Sequence, residues 1–272
     1  MQNRASTLDK MPLIGLGTWR LNGEECIKTV RQALEMGYQH IDTAIVYENH
    51  IEIGKALHGF NRSDVYLTSK LPIDAVDFSS TQKSVEELCD RCLKELNTEY
   101  LDLFLIHSPD HEVPMEEVIF AMESLRSKGK IKHIGVSNFT IHHMQNLLHH
   151  QAYFAFNQVE FHPYLFQKEL LDFCLSHHVR LIAYRPFGKG ELLSEPLFQF
   201  IGKKKNKSPS QVILRWLVQR NIPVIPKASS KEHLQQNLEV FDFTLTEEEM
   251  LAIDALHRGI RYAMPDFAEF SY

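Results

Sequence analysis

Little in this chain suits it to a membrane, a nucleic acid or a disulfide framework. No apolar run approaches the ~18 residues that span a bilayer, and Met1–Lys10 has no apolar core of the kind found in a signal peptide. A cytoplasmic protein is expected. Only four cysteines occur in 272 residues, too few for a disulfide scaffold. Cys89 and Cys92 form a lone C-x-x-C inside a helical pattern with Val85, Leu88, Leu93 and Leu96, so packing is expected there rather than metal or redox use. Positive charge is scarce: 29 Lys and Arg against 35 Asp and Glu leave a net charge of -6, which argues against a nucleic-acid-binding surface. The one basic run, Lys203 to Lys207 broken by Asn206, reads as a solvated helix end. Glycine is sparse, with 12 residues. The stretch Gly15-Leu16-Gly17-Thr18-Trp19 lacks the third glycine and the immediate helix of a dinucleotide fingerprint, which counts against an open doubly wound sheet. No Gly/Ser linker or composition break divides the chain. Residues 1–272 are expected to form one domain, with tails at 1–10 and 257–272, the latter over the domain's active face.

What is present is a regular alternation. Short Val, Ile, Leu and Phe runs predict strands at Leu13–Leu16, Gln39–Asp42, Val65–Ser69, Leu101–Ile106, His133–Val136, Phe156–Val159, Arg180–Ala183 and Val224–Ile225. Amphipathic stretches separate them: Glu24–Met36, Thr81–Leu96, Met115–Lys128, Ile141–His149 and Gln167–His177. Ser208-Pro209 opens a further helix, serine as cap and proline in the first turn. Thr246 with Glu249 forms a capping box for Glu247–Leu256. Eight strands alternating with helices predict a single parallel (β/α)8 TIM barrel. Histidine is abundant, with 15 residues. The doublets His142-His143, His149-His150 and His177-His178 are expected on the surface.

The strands end on polar residues. Asp42, Lys70 and His107 close strands two, three and four, and neighbouring strands lie only about 4.8 Å apart, so these ends can touch. Tyr47 follows in the loop after Asp42. A lysine inside a barrel needs a partner, because an unpaired buried charge is costly; Asp42 is the obvious one. A cationic Lys70 beside a phenol is expected to lower the tyrosine's pKa, making Tyr47 a candidate proton donor to a developing alkoxide.

Ile41-Asp42-Thr43-Ala44 through Tyr47 to Gly54 resembles the second-strand signature of the aldo-keto reductase superfamily. Lys70, His107, Gly135-Val136-Ser137-Asn138-Phe139, Asn157-Gln158-Val159-Glu160, Ala183-Tyr184 and Ile225-Pro226-Lys227 follow in the family's order. The compact length is most similar to the bacterial diketogluconate reductase group. The resemblance implies carbonyl reduction by a nicotinamide dinucleotide bound without a Rossmann domain, on a small-molecule substrate, by a monomer. Tyr47 would be the acid, Asp42 and Lys70 its tuning pair, and His107 the group orienting the carbonyl. Ser137, Asn138 and Gln158 would hold the carboxamide, and Tyr184 would stack on the nicotinamide. The rest of the cofactor contact would come from Thr18, Asp42, Arg185, Phe187, Lys227, Ala228, Ser229, His233, Gln236 and Asn237. Trp19, Tyr47, Pro72, His107 and Ser108 would meet the substrate.

The chain departs from the family pattern at the pocket and the phosphate site. Ser108 and Pro72 stand where tryptophans are usual, so two pocket walls are small. Arg185 replaces a serine, Ala228 another serine, and His233 the arginine that usually holds the 2′-phosphate. Ser229, Ser230 and Lys231 remain as donors. NADPH is the expected cofactor, with NADH as the alternative. Competing readings are a metal-dependent hydrolase, a Schiff-base aldolase using Lys70 or Lys227, and a reductase-like barrel kept as a cofactor-sensing regulatory subunit.

Overall fold

The computed structural model describes residues 11–263 and residue 270. Seven parallel strands follow one another around the sheet in chain order: β1 Leu16–Gly17, β2 His40–Asp42, β3 Tyr66–Leu71, β4 Leu101–Ile106, β5 Ile131–Ser137, β6 Phe156–Glu160 and β7 Arg180–Tyr184. The eighth position is held by a single residue. Val224 bridges Ile14 on one side and Ala183 on the other. Val224 N–H donates to Leu13 O and Ile225 N–H to Ala183 O, so the ring closes there. The predicted strand Val224–Ile225 is therefore reduced to a bridge. Pro223 and Pro226 flank it and have no N–H to extend a ladder. The first strand is likewise shorter than Leu13–Leu16, while β3, β5, β6 and β7 run one or more residues further than predicted.

Helices cover the outside of the ring. Those predicted are found at Gly23–Glu35, Thr81–Glu95, Met115–Ser127, Ile141–His149, Lys168–Ser176, Pro209–Val218 and Glu247–Asp254. The caps at Ser208 and Thr246 form as expected, each a reciprocal capping box. Three helices had no predicted counterpart: His50–Leu57, Pro196–Lys205 and Lys231–Leu238. The run Lys203–Lys207 does end a helix, at an Asn206 in left-handed geometry (φ 55), but it is not simply solvated. Lys204 and Lys205 pair with Glu249, and Lys207 with Asp242, pinning this helix end to the C-terminal part of the chain. Of the histidine doublets only His143 is buried, where its Nδ1 caps its own helix at Thr140. All four cysteines are buried in packing positions.

Alternation along the strands decides what faces the barrel interior. Tyr66, Leu103, Leu105, Phe156 and Ile182 form an apolar plug that fills the interior. Gly135 belongs to this layer: a Cβ there would lie 2.6 Å from Leu105 Cδ2 and 2.9 Å from Phe156 Cβ. One or two steps further along, the inward positions turn polar, and the site begins. No described helix is long and apolar enough to cross a membrane.

Candidate active site

Asp42 is the last residue of β2, Lys70 the last but one of β3, and His107 the first residue beyond β4. The register sets Lys70 opposite Leu105, so His107 lies one inward step beyond the lysine's neighbour. Lys70 is buried, and its Nζ donates to Asp42 Oδ1 at 2.5 Å and Thr43 O at 2.8 Å, with the Tyr47 hydroxyl at 3.4 Å. The second Asp42 oxygen accepts from Gln158 Nε2 at 2.7 Å, a bond that crosses the barrel from β6. The Tyr47 and His107 rings meet edge to face with centroids 5.8 Å apart. Tyr47 itself is half-buried.

These contacts set the protonation states. Burial pulls the Lys70 ammonium down, but the charges and hydrogen bonds of Asp42 and Tyr47 together outweigh it and the pKa ends above the ordinary value. His107 is lowered to about 3 by burial and by the Lys70 charge, so its imidazole is neutral. The Tyr47 phenol corrects the expectation of a lowered pKa. Burial raises it more than Lys70 lowers it, and the net direction is up.

The other predicted rim residues join the same network. Thr18 Oγ1 donates to Asp42 O and Ser137 Oγ to Gln158 O. Asn138 sits in left-handed backbone (φ 64), a conformation its short polar side chain tolerates. Its Nδ2 donates to His107 O at 2.9 Å, and its Oδ1 accepts from the Tyr184 hydroxyl at 2.7 Å, which fixes that ring at the rim. Pro72 and Ser108 are buried beside Lys70 and His107 in the chain. Trp19 is 41% exposed at the mouth. The Arg185 guanidinium lies 4.9 Å from the Trp19 ring centroid and donates through Nη1 to Tyr262 O.

A second group lies around the start of the helix Lys231–Leu238. Lys227, Ser229 and His233 are exposed there, and Ser230 caps the helix through the His233 N–H. Lys227 Nζ donates to Arg20 O, linking this group to the mouth. Ala228 is buried, and Phe187 packs on the outer core. Gln236 donates to Glu232, and Asn237 is buried beside Tyr38. Both polar side chains are engaged within the fold. Phe270 lies under the Arg261 guanidinium, 3.7 Å from its ring centroid. Phe267 and Tyr272, also expected near the mouth, lie outside the described residues, as do residues 1–10. A flank cavity of about 670 Å³ between Ile141, Phe166, Leu170 and Arg261 reaches the site only at Asn138.

Sequence reasoning missed Thr43 and Asn49. Asn49 is wholly buried; its amide donates to Thr18 O and Leu21 O and its oxygen accepts from Thr43 Oγ1 at 2.6 Å. It ties the loop carrying Tyr47 to the loop after β1. A single buried amide in a loop carries no periodic signal.

Residues 13–258 match the model of the Aldo/keto reductase family. The chain belongs to that family. It is 39% identical to the glyoxal reductase of Bacillus subtilis over 256 residues, 93% of this chain and 91% of that one. It is also 39% identical to the 9,11-endoperoxide prostaglandin H2 reductase of Trypanosoma cruzi, covering 93% of this chain and 90% of that one. A solved structure described as a 2,5-diketo-D-gluconic acid reductase B superposes with a TM-score of 0.91 at 37% identity, covering 97% of this chain and 94% of the other. The aldo/keto reductase described here is thus an oxidoreductase of carbonyl groups that uses a nicotinamide cofactor.

Proposed function

We propose that this reductase converts small aldehydes and ketones to alcohols with NADPH, and that Tyr47 supplies the proton. The carrying observation is the contact of the Tyr47 hydroxyl with Lys70, a lysine held charged by Asp42 and excluded from water. When bound, the nicotinamide supplies the hydride. The residues present suit such a group. Tyr184 offers a flat ring fixed by Asn138, and Ser137 and Gln158 offer side-chain oxygens next to it. Gln158 donates its amide N–H to Asp42, leaving its oxygen unengaged among the described residues.

The chemistry of the chain then follows. Neutral His107 donates an N–H to the carbonyl oxygen and orients it. Tyr47 gives up its proton as negative charge grows on that oxygen, and Lys70 stabilises the phenolate left behind. Lys70 does not act as a Schiff-base nucleophile in this arrangement, because its ammonium is committed to Asp42 and Thr43 O. Thr18 and Asp42 brace the floor of the site. Lys227, Ser229 and His233, together with the N–H groups at the start of the helix, would hold the adenosine 2′-phosphate, which would favour NADPH over NADH. Ala228, Phe187, Gln236 and Asn237 shape the pocket behind them. Arg185 would hold the pyrophosphate. Trp19, Pro72 and Ser108 leave a wide substrate pocket, which suits short dicarbonyl compounds such as the glyoxal named for the Bacillus relative. The enzyme works as a cytoplasmic monomer.

Tyr47→Phe tests the assignment. Loss of one general acid is worth about 10²–10⁴ in kcat, while NADPH binding by fluorescence titration stays unchanged. Turnover near that of the parent, with chemistry rate-limiting, would remove Tyr47 from its role; a parent protein that binds NADPH but reduces no carbonyl compound would favour a barrel that senses cofactor without catalysis.

A further inference from the structure

One fully buried carboxylate at the rim has no part in the chemistry above. Glu160 is the next inward residue after Gln158 on β6 and is 0% exposed. A carboxylate out of water is costly unless it is paired and hydrogen-bonded. No lysine or arginine among the described residues pairs with it. Instead Oε1 accepts from His162 Nε2 at 2.9 Å and from the Tyr262 N–H at 2.8 Å, and Oε2 accepts from the Ala263 N–H at 2.6 Å. The His162 Nδ1 has no partner among the described residues, so the network places the ring proton on Nε2. Burial alone would raise the Glu160 carboxyl. The His162 contact and the two N–H groups outweigh it and hold the carboxyl below its usual range.

What the carboxylate holds is the hub of the mouth. Tyr262 O accepts from Arg185, which lies over Trp19. The Tyr262 ring rests on His162 at 5.4 Å, and its hydroxyl donates to Glu191. Gly188, in left-handed backbone (φ +51), makes room for that ring: a Cβ there would lie 2.6 Å from Tyr262 Cε2. Upstream, the Arg258 and Ile260 N–H groups both donate to Tyr164 O. The segment 257–263 is thus threaded along the barrel rim by its backbone, and Glu160 grips its far end.

We propose that Glu160 is a positioning residue for substrate entry: it clasps the backbone N–H groups of Tyr262 and Ala263 and so fixes the C-terminal segment as one wall of the mouth. This rests on the carbonyl-reductase reading of the site. Charge-assisted bonds to two consecutive N–H groups are short and directional, so they set the segment's position and not merely its proximity. An amide cannot substitute. It presents one oxygen and one NH2 to three donors, and one donor must turn away.

Glu160→Gln is compared with Ala263→Pro, which deletes one donor without touching the barrel. In both, KM for methylglyoxal rises at least about fivefold while kcat and the NADPH Kd stay within about twofold, a loss of binding rather than of chemistry. Hydrogen exchange accelerates in residues 257–263 and not in β2–β4. In a chain ending at Arg261, Glu160→Gln raises KM no further. Unchanged KM and unchanged exchange in either soluble variant would overturn the proposal. So would an NADPH Kd that rises as much as KM, or a full additional KM effect in the shortened chain. If the parent protein reduces no carbonyl compound, the functional reading fails, and the exchange rates alone decide for or against the clasp.

Discussion

Asp42→Asn is the sharpest test of the charge arrangement at the rim. The carboxylate accepts from Lys70 at 2.5 Å and Gln158 at 2.7 Å, and both donors are buried. The amide keeps the shape, removes the charge and turns an NH2 toward one of the donors. Breaking a buried pair from one side costs about 3–5 kcal/mol. An upper limit follows from the lysine itself, which can escape by losing its proton. From an unfolded value of about 10.4, doing so near pH 7 costs about 1.4 kcal/mol for each of about 3.4 pH units, hence at most about 5 kcal/mol. The pH dependence has a definite sign. In the parent the Lys70 pKa is raised, so the pair's stability is full below the unfolded value and is lost only as pH rises through the folded one. In the variant the largest influence opposing burial is gone and the folded pKa falls. The unfolded chain then binds the extra proton, and stability rises with pH by up to about 1.4 kcal/mol per unit until about pH 10.4. Urea unfolding of both proteins near pH 7 and near pH 9.5 reads the difference as a gap that narrows with pH. A gap under about 1 kcal/mol, or one that is the same at both pH values, would refute the claim that Lys70 is a charged lysine held by Asp42.

Three histidines whose pKa values are held far down predict acid sensitivity. Burial holds His40 and His143 to about 4 and His107 to about 3. The unfolded chain therefore takes up these protons first. Stability is complete above the unfolded value and falls as pH drops toward the folded ones, by up to about 1.4 kcal/mol per unit per histidine; a urea midpoint that does not move between about pH 7 and pH 5 would contradict this. Arg185→Ser weakens NADPH and NADH by similar factors, because the pyrophosphate is common to both. Fluorescence titration showing a loss confined to NADPH would move Arg185 to the 2′-phosphate instead.

The strand core and the rim were largely legible, for a physical reason. A strand buried on both faces reads as a continuous apolar run, and the first polar residue after it marks the end of the plug. That is why Asp42, His107 and Tyr184 could be placed from the sequence; Lys70 and Gln158 come after Thr68, Ser69 and Asn157 in their strands and were placed by the end of the run as a whole. The helices that escaped notice lacked this contrast. His50–Leu57 is short, with Ile51 exposed and no capping side chain. The eighth strand failed because hydrogen bonding, not hydropathy, limits it between two prolines. Long-range contacts were invisible in principle. Nothing local announces that Arg185 reaches Tyr262, or that Glu160 grips residues about a hundred positions away. Period two along β6 does make Glu160 an inward residue, and that signal was available.

The raised pKa of Tyr47 suits the proposed role of a general acid. A general acid must hold its proton until charge appears on the substrate, and must then release it cheaply. A phenol lowered by Lys70 alone would meet the second need at the expense of the first. Burial separates the two. It keeps the phenol protonated in the resting site, because an isolated phenolate out of water is costly. The same low polarity strengthens the pull of the Lys70 ammonium once the phenolate forms. This works only if the ammonium survives in the same medium, which is the task of Asp42. His107, neutral for the same reason of burial, then adds no second positive charge that would weaken the lysine. Exclusion of water keeps the Tyr47 phenol protonated and the His107 ring neutral, while Lys70 keeps its charge against the same burial through its neighbours, Asp42 first among them.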